Sequence, residues 1–507
     1  MIGLDAADAD LIERLCDAGE MPALSTLRSR GASGSLGGIA GRFAGGVWPT
    51  FYTGRDVPWH GLYHNKIWRQ ERMRCEMADE TWFPEPPFWE LLDPNRFRIA
   101  VLDVPMTVAS PKPLNGVHLA GWGTHDVIAR GSWPGELWGQ LSKQFGPPGM
   151  PAELFGPQSA GTLRRLTSQL IQSTEQIAEI GAALLARERW DLFLLVFGAT
   201  HRGGHYLWDL SQIDRSRLTE NDRKHLQRAL TDVYRACDRG LARLLEQAPA
   251  NARIMVFAVH GMGPNTAWAD RASDILHRIQ SGATQAAPKK GLLYTLKQML
   301  PWPLVRHITS RLPQSVQSNL VKLWSKRMYD WGRTRAFPVP MDHAGYIRLN
   351  VKGREPEGIV DPGTDYDALC AELVEGFLSF TDLSTGQPIT RRVYRQQDLA
   401  SPDAPAGSRL PDLVVEWGEV SPIGSPGIRS DRHGELRWSP PDRLPSGRAG
   451  NHRDRGWFVV SGNGVRHGPI EGHTILDLVP TVCAWLGADL GGRLHGRPIT
   501  LPAGDPA

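Results

Sequence analysis

The chain has 507 residues, with Lys+Arg 57 against Asp+Glu 54, a formal net charge of +3, 41% hydrophobic and 22% charged residues. That is enough apolar material for one large core or two ordinary ones, which excludes disorder throughout. The mild charge, with no basic block interleaved with aromatics, argues against a nucleic-acid track.

Read in chain order, short apolar runs alternate with longer helical patterns, the signature of an α/β fold with a mainly parallel central sheet. Strands are expected at Ile2 to Leu4, Arg98 to Leu102, Leu192 to Phe197, Ile254 to Ala258, Leu413 to Glu416 and Trp457 to Val460. Helices are expected at Ala9 to Ala18, Ala23 to Arg30, Thr162 to Arg189, Asp222 to Glu246, Tyr366 to Leu378 and Thr474 to Leu486, where apolar residues recur three and four apart. Residues 285 to 330 are basic, amphipathic and broken by Pro301, Pro303 and Pro313. They read as part of a helical cap over residues 277–340, inserted in a single domain spanning 1–507; a membrane-surface helix is the alternative.

Five scattered cysteines (Cys16, Cys75, Cys237, Cys370, Cys483) with no CxxC pair argue against a disulfide framework or zinc knuckle and for a reducing compartment. No window approaches the roughly 18 apolar residues of a membrane span. The opening MIGLDAADAD lacks a basic segment followed by an apolar one, so a soluble cytoplasmic protein is expected. Nothing in the sequence sets an oligomeric state.

Ligands of open parallel sheets bind beyond the carboxyl ends of the strands. Asp5 follows the first strand, His201 and His205 follow Leu192 to Phe197 in GATHRGGHYLW, and His260 follows Ile254 to Val259 in VHGMG. His452, in NHRDRG, is expected in the loop leading into Trp457 to Val460. Imidazole and carboxylate together are the ligand set of zinc, manganese or iron. His201 and His205 share a face if their segment is helical, although Gly203 and Gly204 favour a loop. His64, His118 and His125 are further pocket candidates, and Arg348, Lys352 and Arg354 carry charge that suits a phosphate.

The order of these blocks resembles the alkaline phosphatase superfamily, in its branch of type I phosphodiesterases and nucleotide pyrophosphatases. The resemblance rests on GLDAADADLIERLCDAGEMPALSTLRSRG, WPTFYTGRDVPWHGLYH, PPFWELL, IAVLDVP, GYIRLNVKGREPEGIV, PDLVVEW, VHGMG, NHRDRG and ILDLVPTVCAWLG. It implies a three-layer α/β/α sandwich and a centre of one or two divalent transition metals, zinc foremost, with manganese or iron as alternatives. One site would take His201, His205 and His452, with His201 where the family usually has Asp. The other would take Asp5 and His260, with Val259 where an Asp is expected. Counting six residues back from Thr50 to the family's nucleophilic Thr or Ser lands on Ala44, which cannot form a covalent phospho-enzyme; a loop of different length would let Thr50 or Ser35 serve as the hydroxyl, and otherwise Thr50 is an N-terminal hydroxyl in the turn after Pro49.

The function so implied is metal-dependent hydrolysis of a phosphodiester, pyrophosphate or phosphomonoester bond in a small phosphate-ester-like molecule. If no protein nucleophile serves, attack by a metal-bound hydroxide is the simplest route. The alternatives are a catalytically degenerate homologue that binds or scaffolds, and a rewired biosynthetic transferase.

Overall fold

The computed structural model describes residues 1–507 except 80–81, 83–84, 125–126, 152, 214–217, 282–328, 342, 400–403, 405–408 and 503–507. Its centre is a nine-stranded sheet, in the spatial order Gly468–Thr474, Ala32–Gly37, Gly456–Ser461, Ile254–Ala258, Ile2–Leu4, Leu192–Phe197, Ile99–Leu102, Gly116–Ala120 and Gly131–Trp133. The run from Ile254–Ala258 to Gly116–Ala120 is parallel, with Ile2 opposite Leu195 and Val256. The strand Gly456–Ser461 runs antiparallel to both of its neighbours.

Side chains alternate across a strand, and here the alternation sorts residues into two apolar layers. Leu195 and Phe197 join Leu4, Val256 and Ala258 under the helices Ala160–Arg187 and Glu220–Gln247. Leu194 and Val196 join Val101, Met255, Phe257 and Val259 under the helices Val47–Thr53 and Leu478–Leu486. This is the expected three-layer arrangement. Both long helices begin on hydroxyl caps: Ser159 accepts from the Thr162 amide, and Thr219 forms a capping box with Asp222.

One expected strand lies elsewhere. Leu413–Trp417 belongs to a separate antiparallel sheet, in the order Ala336–Val339, Gly345–Leu349, Leu413–Trp417, Thr390–Arg395. Leu413 and Val415 face one apolar cluster and Val414 another, so both faces are buried. A strand covered on both faces reads as a continuous apolar run, the same pattern as a central parallel strand. Of the expected cap, residues 282–328 lie outside the described residues. The flanks are the end of the helix Ala272–Ser281 and the edge strand Ala336–Val339. Among the described residues no helix is long and apolar enough to cross a membrane.

Candidate metal centre

Three adjacent parallel strands deliver the site at their carboxyl ends. Asp5 directly follows Ile2–Leu4, its amide still bonded to the Phe197 carbonyl at 3.0 Å. The next residue, Ala6, has φ 55°, a left-handed conformation costly for a residue with a side chain and found where function holds the backbone. The strand Leu192–Phe197 runs into the helix Ala199–Leu207, which puts His201 and His205 one turn apart on one face.

The two glycines between them do not make a loop; they let this helix pack closely. A Cβ on Gly204 would meet Met262 Cγ at 2.7 Å, and one on Gly450 would meet the Gly204 carbonyl oxygen at 2.1 Å. His452 stands not in a loop but on the strand Gly450–Arg453, which pairs antiparallel with Gly261–Pro264 and sets His452 opposite Met262. That two-stranded ribbon escapes a sequence reading because both strands are short and rich in glycine and polar residues.

The ligand atoms of His201, His205 and His452 all lie within 4.8 Å of one another, and all three side chains are buried. Their ring centroids are 4.9 Å apart in each pairing. Hydrogen bonds assign the tautomers of two of them. His205 Nδ1 is 3.0 Å from the Gly450 carbonyl, which only accepts, so Nδ1 carries the proton and Nε2 the lone pair. His201 Nδ1 is 2.7 Å from Asp5 Oδ2 and donates to it in the same way. The two Nε2 atoms then face each other at 3.1 Å. Two lone pairs at that separation repel unless a proton or a cation stands between them, so this donor set fits a metal.

Asp5 and His260 are close by but take different positions. Asp5 is fully buried; Oδ2 accepts from His201 and Oδ1 accepts from the Trp48 indole at 2.7 Å. Burial works to raise its pKa, but the neighbouring His201, with help from His260 and the Trp48 N–H, holds it below the ordinary 3.8, so it stays ionised. His260 Nε2 is 3.9 Å from Asp5 Oδ1, and its ring lies 4.9 Å from that of His452. Burial pushes the His260 pKa down to about 4, and burial with the surrounding imidazoles pushes that of His452 well below 6.5. Both are held neutral, the form that ligates metals. Their Nδ1 atoms are buried without a hydrogen-bond partner.

Two residues here are not singled out by sequence reasoning. Trp48 lies within WPTFYTG, but its N–H matters only once the helix Val47–Thr53 is laid beside Asp5. His343 packs 5.4 Å from the His452 ring and bonds through Nδ1 to Asn451 Oδ1 at 2.9 Å. A cavity of about 70 Å³, lined among others by His343, Asn451, His452 and Asp454, reaches the cluster.

Thr50 is buried within the helix Val47–Thr53, its Oγ1 3.0 Å from His60 Nε2. His60 Nδ1 accepts the Leu62 amide at 3.1 Å, which leaves the ring proton on Nε2. His60 therefore donates to Thr50 and does not withdraw its proton. Ala44 starts the short helical turn Ala44–Gly46, and Ser35 is an exposed residue opposite Trp457 on the sheet.

The other candidates have structural roles in the described residues. Arg354 clamps Asp412 at 2.6 and 2.8 Å, Arg348 bonds Glu355, Gln70 and the Leu410 carbonyl, and Lys352 pairs with Asp361. His118 is buried with Nδ1 accepting the Ser110 amide, and His64 Nδ1 accepts the Lys66 amide. His125 lies outside the described residues.

The layered sheet with an imidazole cluster at its carboxyl edge defines an alkaline-phosphatase-like α/β protein. Residues 1–421 match the model of the type I phosphodiesterase / nucleotide pyrophosphatase family, and the chain belongs to that family within the alkaline phosphatase superfamily. No curated protein matches it. Among solved structures, phosphonoacetate hydrolase from Sinorhizobium meliloti 1021 in complex with phosphonoacetate is 13% identical, covering 96% of this chain and 94% of that one at a TM-score of 0.50. Human ectonucleotide pyrophosphatase / phosphodiesterase 5 is 12% identical, covering 99% and 97% at a TM-score of 0.47. At 13% identity the likeness to the phosphonoacetate hydrolase speaks to fold alone.

Proposed function

We propose that this protein is a divalent-metal-dependent hydrolase acting on a small molecule with a phosphodiester, pyrophosphate, phosphomonoester or phosphonate group. The observation that carries the reading is the pair of Nε2 atoms of His201 and His205 facing each other at 3.1 Å, with His452 completing the cluster. A transition metal held by these three would polarise a phosphoryl oxygen and lower the pKa of water, with zinc as the first choice for a three-nitrogen set.

The chain's own residues contribute orientation. Asp5 and the Gly450 carbonyl fix the rings of His201 and His205, as outer partners do in metal sites. The cavity beside His452 shares Asp454 with a larger one of about 320 Å³ that is lined by Arg42, Arg392 and Tyr394. The Arg42 and Arg392 guanidinium carbons stand 5.1 and 4.7 Å from the Tyr394 ring centre, positive charge suited to an anionic substrate.

The test is turnover of bis-p-nitrophenyl phosphate, p-nitrophenyl phosphate, a dinucleotide pyrophosphate and phosphonoacetate by protein loaded in turn with zinc, manganese and iron(II). Release from one substrate, abolished by a chelator and restored by the ion, is expected. A second reading, a degenerate homologue that keeps the fold as a binding protein, is favoured by Ala44 at the nucleophile's place and Val259 at a ligand's place. Metal binding with no turnover on any of these substrates selects it.

A further inference from the structure

Asp5 has its two oxygens taken by two N–H donors, and this bears on how many ions the centre holds. Oδ2 accepts from His201 Nδ1 at 2.7 Å and Oδ1 from Trp48 Nε1 at 2.7 Å. We propose that the centre is built for a single ion, in which Asp5 is a positioning residue for His201 and the Trp48 indole N–H stands where a second cation would contact Asp5. This rests on the metal-centre reading above and deepens it.

The family pattern implies a second ion between Asp5, His260 and a further carboxylate, and the residues present do not fit one. Val259 takes the carboxylate's place and points into the apolar layer with Phe257 and Met255, fully buried. An ion on Asp5 Oδ1 would meet a polarised N–H hydrogen already directed at that oxygen, and like partial charges repel. Trp48 cannot step aside cheaply. It is 3% exposed and packs edge-on against Phe51 and against Phe257, with centroids 5.6 and 6.1 Å away. Among the described residues, the one cluster of three or more His, Cys, Asp or Glu placed to share an ion is His201, His205 and His452. Asp5 acts from behind that cluster: the carboxylate keeps the His201 proton on Nδ1 and turns the Nε2 lone pair toward His205.

The test is zinc stoichiometry by equilibrium dialysis with elemental analysis, on wild type, Asp5→Asn and His205→Ala. Wild type is expected to bind about one equivalent. Asp5→Asn is expected to keep that stoichiometry with affinity about 10–100-fold lower, the usual effect of losing an outer partner. His205→Ala is expected to bind none. Two ions in wild type, falling to one in Asp5→Asn, overturn the inference and leave the metal-centre reading standing. No ion in wild type overturns both. If Asp5→Asn does not fold, as judged by circular dichroism, the wild-type count decides alone.

Discussion

The indole of Trp48 donates to the carboxylate of Asp5 at 2.7 Å inside a fully buried pocket, joining the helix Val47–Thr53 to the end of the first strand. Replacing Trp48 by Phe keeps an aromatic ring against Phe51 and Phe257 but leaves Asp5 Oδ1 without its donor. A buried charged acceptor left unpaired costs about 1–3 kcal/mol or more. Urea unfolding of Trp48→Phe is therefore expected to show a loss of at least that size. An unchanged midpoint would mean that the bond contributes nothing.

His205 and His452 come from different elements, a helix and a ribbon strand, and meet only in the folded chain. His205→Ala and His452→Ala each remove one of three nitrogens. Each is expected to lower hydrolysis by more than the roughly 10–100-fold that follows loss of an outer partner. Both variants are expected to keep the wild-type circular dichroism spectrum. Full activity in either one rules out the three-histidine centre as the seat of catalysis.

Much of the sheet and of the histidine centre is legible in the sequence, and what is hidden is hidden for a physical reason. The strands Ile2–Leu4, Leu192–Phe197 and Ile254–Ala258 are apolar runs bounded by polar or turn residues, and a site residue follows each within a few positions: Asp5, His201 and His260. The pair His201 and His205 carried its own spacing. What the sequence left open was polarity and partnership. A carboxylate at the end of a strand looks the same whether it faces an ion or an indole, and only the placement of Trp48 distinguishes the two. Likewise Arg348 and Arg354 look like phosphate ligands until Glu355 and Asp412 are found against them. Leu413–Trp417 was legible as a strand but not as a member of the second sheet, because burial on both faces erases the alternation.

Two buried histidines away from the cluster give the protein an acid limit. Burial lowers the pKa of His118 to about 4 and that of His60 to about 3, from 6.5. As pH falls below 6.5 the unfolded chain takes up these protons and the folded one does not until the lowered values are reached. Stability is thus fully present above 6.5 and is lost on the way down, by about 1.4 kcal/mol per pH unit for each group. His118→Gln is expected to be less stable at neutral pH but to show a shallower decline between pH 6 and pH 4.5, measured by denaturant unfolding. A parallel decline would mean that His118 titrates normally.

Asp412 is fully buried and accepts from Arg354 at 2.6 and 2.8 Å, from Tyr366 at 2.9 Å and from the Leu349 amide at 2.7 Å. Removing one partner of such a pair typically costs about 3–5 kcal/mol, since the remaining charge stays buried. Asp412→Ala is expected to fall in that range by urea unfolding. Because the clamp holds the second sheet, the fraction still folded is expected to bind zinc as wild type does. A large loss of metal affinity in folded Asp412→Ala would instead tie this clamp to the centre.

Thr50 is, with Ser35, one of the two hydroxyls the sequence offers for attack on phosphorus, and the hydrogen-bond polarity around it argues for another role. His60 accepts the Leu62 amide on Nδ1 and stays neutral in its buried position, so its Nε2–H points at Thr50 Oγ1. A base that activates a hydroxyl must present a lone pair to it, the reverse of this arrangement. Thr50→Val keeps the shape and removes the acceptor, leaving the His60 N–H unsatisfied at about 1–3 kcal/mol of stability. Its hydrolysis rate is expected to stay within about tenfold of wild type, ~1.4 kcal/mol of barrier. Removal of a true nucleophile costs roughly 10⁶-fold in a triad hydrolase. Rapid acid quench during turnover is expected to recover no phosphorylated Thr50. A loss of several orders of magnitude in Thr50→Val, together with a labelled Thr50 peptide in wild type, would establish the covalent route that this hydrogen bond argues against.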